Sequence, residues 1–274
     1  MRVDCHQHFW RLDRGDYTWL TPSFTAIYRD FGPQDLAPSL QQHRIDATVL
    51  VQAAATVAET DYMLDVAARH SFVRGVVGWV DFDGPGLIAD IDRLAQNPLI
   101  KSFRPMIQDI ADPDWMLQPQ LAPGLAALQR HDIAFDALLK PPHLQPFRKF
   151  LKLYPDLRIV IDHGAKPAIA AGGFEVWAKE MREIARDPRV LCKLSGLATE
   201  AGVDWTEARL RPYVDLLLQA FGPERLMWGS DWPVINLAGG YDRWHGAASA
   251  LIGGLSAAEQ DAILGGTATS FYRL

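Results

Sequence analysis

Val3-Asp4-Cys5-His6-Gln7-His8-Phe9-Trp10 opens the chain as an apolar run that ends in a His-x-His pair. Side chains on a β-strand alternate between faces, so His6 and His8 point the same way when this stretch is extended. A strand that starts apolar and finishes with two convergent imidazoles presents them at its C-terminal end. There they can ligate a metal or grip a reacting carbonyl. Alone the pair is a weak signal, because a loop cap beside a hydrogen-bonded core histidine has the same spelling. The rest of the chain decides.

Apolar, β-branched runs recur at residues 3–8, 47–53, 73–80, 101–107, 133–139, 159–165, 190–195 and 226–232. Between most of them lie helical patterns with apolar positions three and four apart, at 61–69, 87–95, 121–128, 147–154, 174–185 and 210–221. Asn97-Pro98, Pro141-Pro142, Tyr154-Pro155-Asp156, Asp187-Pro188 and Gly222-Pro223 punctuate the repeat. Hydrophobic strands alternating with helices predict a parallel sheet covered on both faces. Eight such units in 274 residues predict a single α/β domain over 1–274, a closed (β/α)8 TIM barrel. No Gly-rich fingerprint follows the first run, which argues against a dinucleotide-binding sheet. Two regions depart from the repeat. Residues 11–33 form a long loop of the kind that serves as a lid or binding loop. Ser256-Ala-Ala-Glu259 reads as a capping box, and Thr267 as the start of a closing helix.

A net charge of −6 gives no footprint for nucleic acid or an anionic membrane. No targeting leader and no bilayer-length apolar run is evident, and the two cysteines make no disulfide framework. The expectation is a cytoplasmic protein with reduced thiols, whose oligomeric state composition leaves open.

In this fold reacting groups gather at the C-terminal ends of several strands. The ends here carry His6 and His8, Gln52, Arg104, Lys140, Asp162 and His163, Lys193 and Ser195, and Ser230 with Asp231 and Trp232. Polar groups at nearly every strand end, inside apolar runs, call for a shared solvated site rather than packing. Alternation places Lys193 inward near Asp231, since an unpaired cation under the helices is costly. Asp4 either orients an imidazole from behind or is a buried carboxylate satisfied by backbone amides. Cys5 is expected to face the helices and not to pair with Cys192. No Gly-x-Ser-x-Gly elbow marks a serine nucleophile, and no Cys-x-x-Cys marks a thiolate zinc site.

Four phrases carry a family resemblance: Asp4-x-His6-x-His8, Asp162-His163-Gly164-Ala165-Lys166-Pro167, Cys192-Lys193-Leu194-Ser195-Gly196 and Gly229-Ser230-Asp231-Trp232-Pro233. Together they resemble the amidohydrolase superfamily, and within it the branch of sugar-lactone hydrolases that includes fucono- and rhamnonolactonases. Arg29-Asp30-Phe31, Val76-Val77-Gly78-Trp79-Val80 and Gly265-Gly266-Thr267-Ala268 fit the same branch, so the likeness spans the whole chain. It implies an amidohydrolase-like barrel that opens a small-molecule lactone with a strand-eight aspartate. Metal-rich members carry a histidine on strand five and a bridging ligand on strand four. This chain has Lys140 and Ser102-Phe103-Arg104 there, so a binuclear centre is not expected. His6, His8, His163 and Asp231 can hold one zinc with a position left for water, and the resemblance equally admits catalysis without metal.

Lactone opening needs a polarised carbonyl, an activated water and a protonated leaving oxygen. Asp231 is expected to serve as base and then acid, with His6, His8, His163, Lys193 and Arg104 facing the oxyanion. A neutral sugar lactone also calls for polar and aromatic loop residues: Trp10, Arg14, Asp16, Tyr17, Trp19, Gln52, Lys140, Trp232 and Trp244. A dicarboxylic pyrone or muconolactone would need paired cations instead, from Arg104, Lys140 and Lys193. A decarboxylase or amide hydrolase shares the same scaffold. Sugar binding without chemistry does not need this density of ionisable groups. His143 reads as a solvated loop residue.

Overall fold

β1 (Val3–Gln7), β2 (Ala47–Val51), β3 (Val73–Gly78), β4 (Ile100–Phe103), β5 (Ala134–Ala137), β6 (Ile159–Ile161), β7 (Val190–Leu194) and β8 (Leu226–Trp228) form one parallel sheet in sequence order. The protein is described here by a computed structural model covering residues 1–274. Helices α1 (Pro33–His43), α2 (Val57–Arg69), α3 (Leu87–Leu94), α4 (Ala122–Arg130), α5 (Leu144–Leu153) and α6 (Phe174–Ala185) follow β1 to β6 in turn. After β7 come α7 (Leu197–Ala201) and α8 (Glu207–Phe221), and after β8 come α9 (Gly240–Ile252), α10 (Ala257–Asp261) and α11 (Thr267–Tyr272). This is the expected (β/α)8 barrel. No helix is long and apolar enough to cross a membrane.

The ladders are shorter than the apolar runs that foretold them. Gln52, Arg104, Leu138, Asp162, Ser195 and Asp231 lie just beyond the strand ends. These segments stay buried as they bend over the rim, so composition alone does not show where pairing stops. Closure likewise falls outside the ladder. The amide of Asp231 donates to the His6 carbonyl (2.8 Å), and that of His8 to the Trp232 carbonyl (2.7 Å). The residues after β8 are thereby laid against the His-x-His of β1.

Inside the barrel Val3, Cys5, Val49, Val51, Val77, Ala134, Val160 and Met227 pack together, with Phe271 and Tyr272 of α11 in the same cluster. Simple alternation fails at β1, where the register against β2 shifts between Asp4 and Gln7. The irregularity corrects the expectation for Cys5 and decides between the two readings of Asp4. Cys5 joins the interior cluster rather than facing the helices. Asp4 accepts from the backbone amides of Ser230 (2.8 Å) and His6 (3.2 Å) and orients no imidazole directly. Burial pushes its carboxyl up to about 6, against the pull of those bonds with Ser230 and His6. Both cysteines are free.

The 11–33 loop is pinned at its base by paired bonds between Trp10 and Phe31 (3.0 Å each way). Asp16 joins it to α2, taking Arg14 at 2.6 Å and the hydroxyl of Thr56 at 2.9 Å. Thr56 itself caps α2 by accepting from the Glu59 amide. The capping box Ser256–Glu259 opens α10 as expected.

Candidate active site

Beneath the mouth lies a buried charge network. Lys193 Nζ sits 2.6 Å from Asp136 Oδ2, 2.9 Å from Asp162 Oδ1 and 3.1 Å from His6 Nδ1. Tyr272 adds its hydroxyl to Asp136 at 2.7 Å, tying α11 to the same centre. Burial drives the Lys193 ammonium down, but Asp136 and Asp162 outweigh it and hold the charge in place. Burial likewise raises the Asp162 carboxyl, and Lys193, His6 and Arg104 together keep it well below the usual range.

His6 stands between two cations. Lys193 faces Nδ1 at 3.1 Å and Arg104 Nη1 faces Nε2 at 3.5 Å, and a neutral ring accepts at only one nitrogen. The shorter contact decides: Nδ1 accepts from Lys193, and Nε2 carries the ring proton toward Asp231 Oδ1, 3.7 Å away. Burial, followed by the Lys193 charge, pushes the His6 pKa well down, so the ring is neutral. His8 has the opposite tautomer. Its Nδ1 lies 2.7 Å from the Val51 carbonyl, which only accepts, so Nε2 faces Asp231 Oδ1 at 3.2 Å. Those two lone-pair-bearing atoms need a proton or a cation between them.

His163 and Asp231 are both held in left-handed backbone. His163 (φ 54°), Ala165 (φ 60°) and Lys166 (φ 47°) flank Gly164 (φ 57°), giving four such residues in succession after β6. Asp231 follows β8 at φ 58°. Each non-glycine residue there costs about 1–2 kcal/mol, and such strain concentrates at functional sites. The turn aims His163 inward with Ser195 Oγ 2.8 Å from Nδ1, leaving Nε2 toward Asp231 at 3.9 Å. Burial pushes its pKa down to about 3. Burial also raises the Asp231 carboxyl, but the imidazoles of His163, His8 and His6 outweigh that and keep it ionised far below the usual range.

Above this floor opens a cavity of about 240 Å³. Its polar lining is His8, Arg104, Gln108, Asp109, His163, Lys166 and Asp231, and its apolar lining includes Trp19, Met106, Leu138 and Val234. Arg104 is locked in the wall by Asp162 (3.1 Å) and the Gln52 carbonyl, while the Gln52 amide nitrogen reaches back to the Arg104 carbonyl at 2.9 Å. Ligand atoms of His6, His163 and Asp231 lie within 4.8 Å of one another, with His8 beside them. Neutral imidazoles and an ionised carboxylate are the donor set that suits a divalent ion. His6 joins that set through Nε2 only when its ring proton is off that nitrogen.

Of the residues expected at the mouth, the structure gathers His8, Trp19, Arg104, His163 and Asp231 on the cavity, with His6 one layer deeper. Lys193 points inward as expected, but it pairs with Asp136 and Asp162 rather than Asp231 and lies below the cavity. Gln52 acts by bracing Arg104. Trp10 is fully buried, bonded to the Arg29 carbonyl and packed on Trp19 and Phe31, and Trp232 packs on Phe9 and Phe31. Tyr17 packs near Trp10, and Trp244 bonds the Gly229 carbonyl from behind. Arg14 and Asp16 are loop anchors, with the Arg14 guanidinium over the Tyr62 ring. Lys140 stands at the rim on the Gln108 carbonyl (3.1 Å). His143 is buried, not solvated, and accepts from the Lys140 amide. Asp136 and Lys166 were not foreseen. A charge inside the apolar run 133–139 was the readable signal for Asp136; for Lys166 there was only its place after His163.

A family model described as amidohydrolase matches residues 3–274. A protein named L-fucono-1,5-lactonase from Burkholderia ambifaria is 48% identical, the match covering 100% of this chain and 96% of that protein. Another of that name, from Burkholderia multivorans, is 36% identical with the same coverage of each. A crystal structure of an amidohydrolase from Burkholderia multivorans with bound zinc superimposes with a TM-score of 0.94 at 36% identity, covering 100% of this chain and 99% of that one.

Proposed function

Since the chain belongs to the amidohydrolase family, we propose that it is a lactonase that opens a sugar lactone, L-fucono-1,5-lactone first and L-rhamnonolactone as a second candidate, to the aldonic acid. One observation carries the reading: an ionised Asp231 on a cavity wall, with His8 Nε2 3.2 Å away and the neutral imidazoles of His6 and His163 and Arg104 around it. Asp231 takes a proton from water as its oxygen attacks the lactone carbonyl carbon. The carbonyl electron pair moves onto oxygen, which Arg104 and the Nε2–H of His6 stabilise. Collapse then breaks the ring C–O bond, and Asp231 returns its proton to the ring oxygen. The fixed orientation of Arg104, set by Asp162 and Gln52, means little reorganisation during reaction.

His6, His8, His163 and Asp231 would hold one divalent ion, zinc being the natural choice, and bound there it would supply Lewis acidity toward a carbonyl or water. A dicarboxylic lactone is disfavoured by the placement of its expected cations. Arg104 is tied to Asp162, Lys193 lies under the floor, and Lys140 stands out at the rim. The test is a panel of aldonolactones followed by proton release with a pH indicator. Turnover of L-fucono-1,5-lactone above the spontaneous rate is expected. Absence of acid release from every aldonolactone, with release from a pyrone dicarboxylate, overturns the reading.

A further inference from the structure

The geometry points to Lys166 as a further catalytic residue, which donates a hydrogen bond to the ring oxygen as it leaves. This rests on the lactonase reading above. Among the donors lining the cavity, Lys166 alone has nothing to do. Arg104 is engaged by Asp162 and the Gln52 carbonyl, His8 by Val51, and His163 at Nδ1 by Ser195 with its Nε2 toward Asp231. The Trp19 indole is engaged by the Ala53 carbonyl, and the Gln108 amide by Asp109. Lys166 lines the same cavity, yet no hydrogen bond or ion pair of the chain uses its Nζ. Asp231 and Glu200 are felt through space but neither is close enough to pair with it. Lys166 is half-buried on the cavity wall with its ammonium unpaired within the chain, so it is free to meet an oxygen that arrives with the substrate.

The backbone points the same way. Lys166 is the last of the four left-handed residues, and its amide donates to the His163 carbonyl at 2.9 Å. The turn that aims His163 at the floor therefore also aims Lys166 into the cavity. A lactone has two oxygens that gain charge. The carbonyl oxygen meets the floor, where Arg104 and the imidazoles converge near Asp231. The ring oxygen gains its charge when the C–O bond breaks and keeps the electron pair, before the proton arrives from Asp231. Lys166 is the remaining donor for it. The electron pair stays on the ring oxygen and the proton comes from Asp231, so Lys166 is unchanged over the cycle.

The experiment compares wild type, K166M, K166R and K166A on L-fucono-1,5-lactone, in proton release. Loss of one transition-state donor predicts that kcat of K166M falls about 10²–10³-fold while KM moves by less than about fivefold. K166R recovers part of that loss, and ethylamine added to K166A restores turnover in proportion to its concentration. A K166M kcat within about threefold of wild type, a loss carried by KM alone, or no amine rescue overturns the inference. Should K166M lose its near-ultraviolet dichroism, K166Q takes its place under the same thresholds. A wild type inert toward every aldonolactone sinks the lactonase reading instead. An active wild type with an indifferent K166M sinks only the role of Lys166.

Discussion

Oδ1 of Asp231 lies 3.2 Å from Nε2 of His8, across 223 residues of sequence. Barrel closure makes that meeting: the Asp231 amide is bonded to the His6 carbonyl, and the His8 amide to the Trp232 carbonyl. The backbone thus fixes the carboxylate independently of its side-chain partners. Asp231→Asn is expected to keep the fold, because asparagine tolerates the left-handed φ of 58° as well as aspartate does. It removes the base and the returning acid, so kcat should fall by roughly 10²–10⁴-fold. Thermal melting within a few degrees of wild type, together with near-normal turnover, would remove Asp231 from the mechanism.

How much of this was legible in sequence varies with the kind of feature. The barrel was legible, because eight apolar runs and their intervening helices follow from burial and periodicity. Asp231, His6, His8 and His163 were legible as groups at strand ends. Faces were not legible at β1, where a register shift puts Cys5 inside and turns Asp4 onto backbone amides. Strict alternation has no means of showing such a bulge. Around the 11–33 loop, composition does not separate the tryptophan that looks into the cavity, Trp19, from Trp10 at the loop's base, which packs behind it. The left-handed turn at 163–166 also leaves no compositional trace, since only Gly164 belongs there by propensity.

Lys193 makes a case for stability rather than contact with substrate. Lys193→Met leaves Asp136 and Asp162 buried without their shared cation. Breaking a buried pair in this way costs about 3–5 kcal/mol. A drop in Tm of roughly 6 °C or more is expected, since 1 kcal/mol shifts a chain of this size by about 2–4 °C. Adding Asp136→Asn should cost less than the sum of the two single changes, as the second removes a charge the first had stranded. Strict additivity in a double-mutant cycle would mean that the two groups do not interact.

Glu59 supports the cavity wall through Ala53. Its carboxylate accepts from the amides of Ala53 (3.0 Å) and Ala54 (2.6 Å), and the Ala53 carbonyl holds the Trp19 indole. Burial pushes the Glu59 carboxyl up from 4.5 to about 7, against the pull of those amides. Between those values the folded chain binds more protons than the unfolded one, so the contribution is full below pH 4.5 and lost as pH rises through about 7. Glu59→Gln does not titrate. The Tm of wild type minus that of E59Q should therefore shrink from pH 5 to pH 8. A difference that widens over that range would show that the ionised form is the one the fold favours.

For the metal, protein purified without chelator is expected to carry close to one divalent ion per chain. Stripping should lower turnover and added zinc restore it. Binding should release few protons near neutral pH, because the rings of His6 and His163 are already neutral and Asp231 is already ionised. Pipetting zinc into stripped protein in weak buffer with an indicator measures this directly. Full activity in metal-free protein would leave Asp231, Arg104 and the imidazoles as the whole apparatus.

Gly196 tests whether His163 must be held where it is. It follows Ser195 with φ +68°, and a Cβ there would lie 2.6 Å from Cγ of the His163 ring and 2.7 Å from Nδ1. Gly196→Ala thus brings two penalties: about 1–2 kcal/mol for a left-handed alanine, and displacement of a buried ring. The ring cannot swing freely, since its Nδ1 is bonded to Ser195 Oγ and its own backbone sits in the strained turn. The change should lower Tm by several degrees and also pull Nε2 away from Asp231. If His163 acts only as packing, kcat will hold once the protein is assayed well below its Tm. If it orients substrate or ion, kcat drops at every temperature, as a 1 Å misplacement can cost roughly 10²-fold. Gly202→Ala supplies the control: φ is +85° there, but nothing lies within 4 Å of the added Cβ, so it should lose stability and keep its turnover.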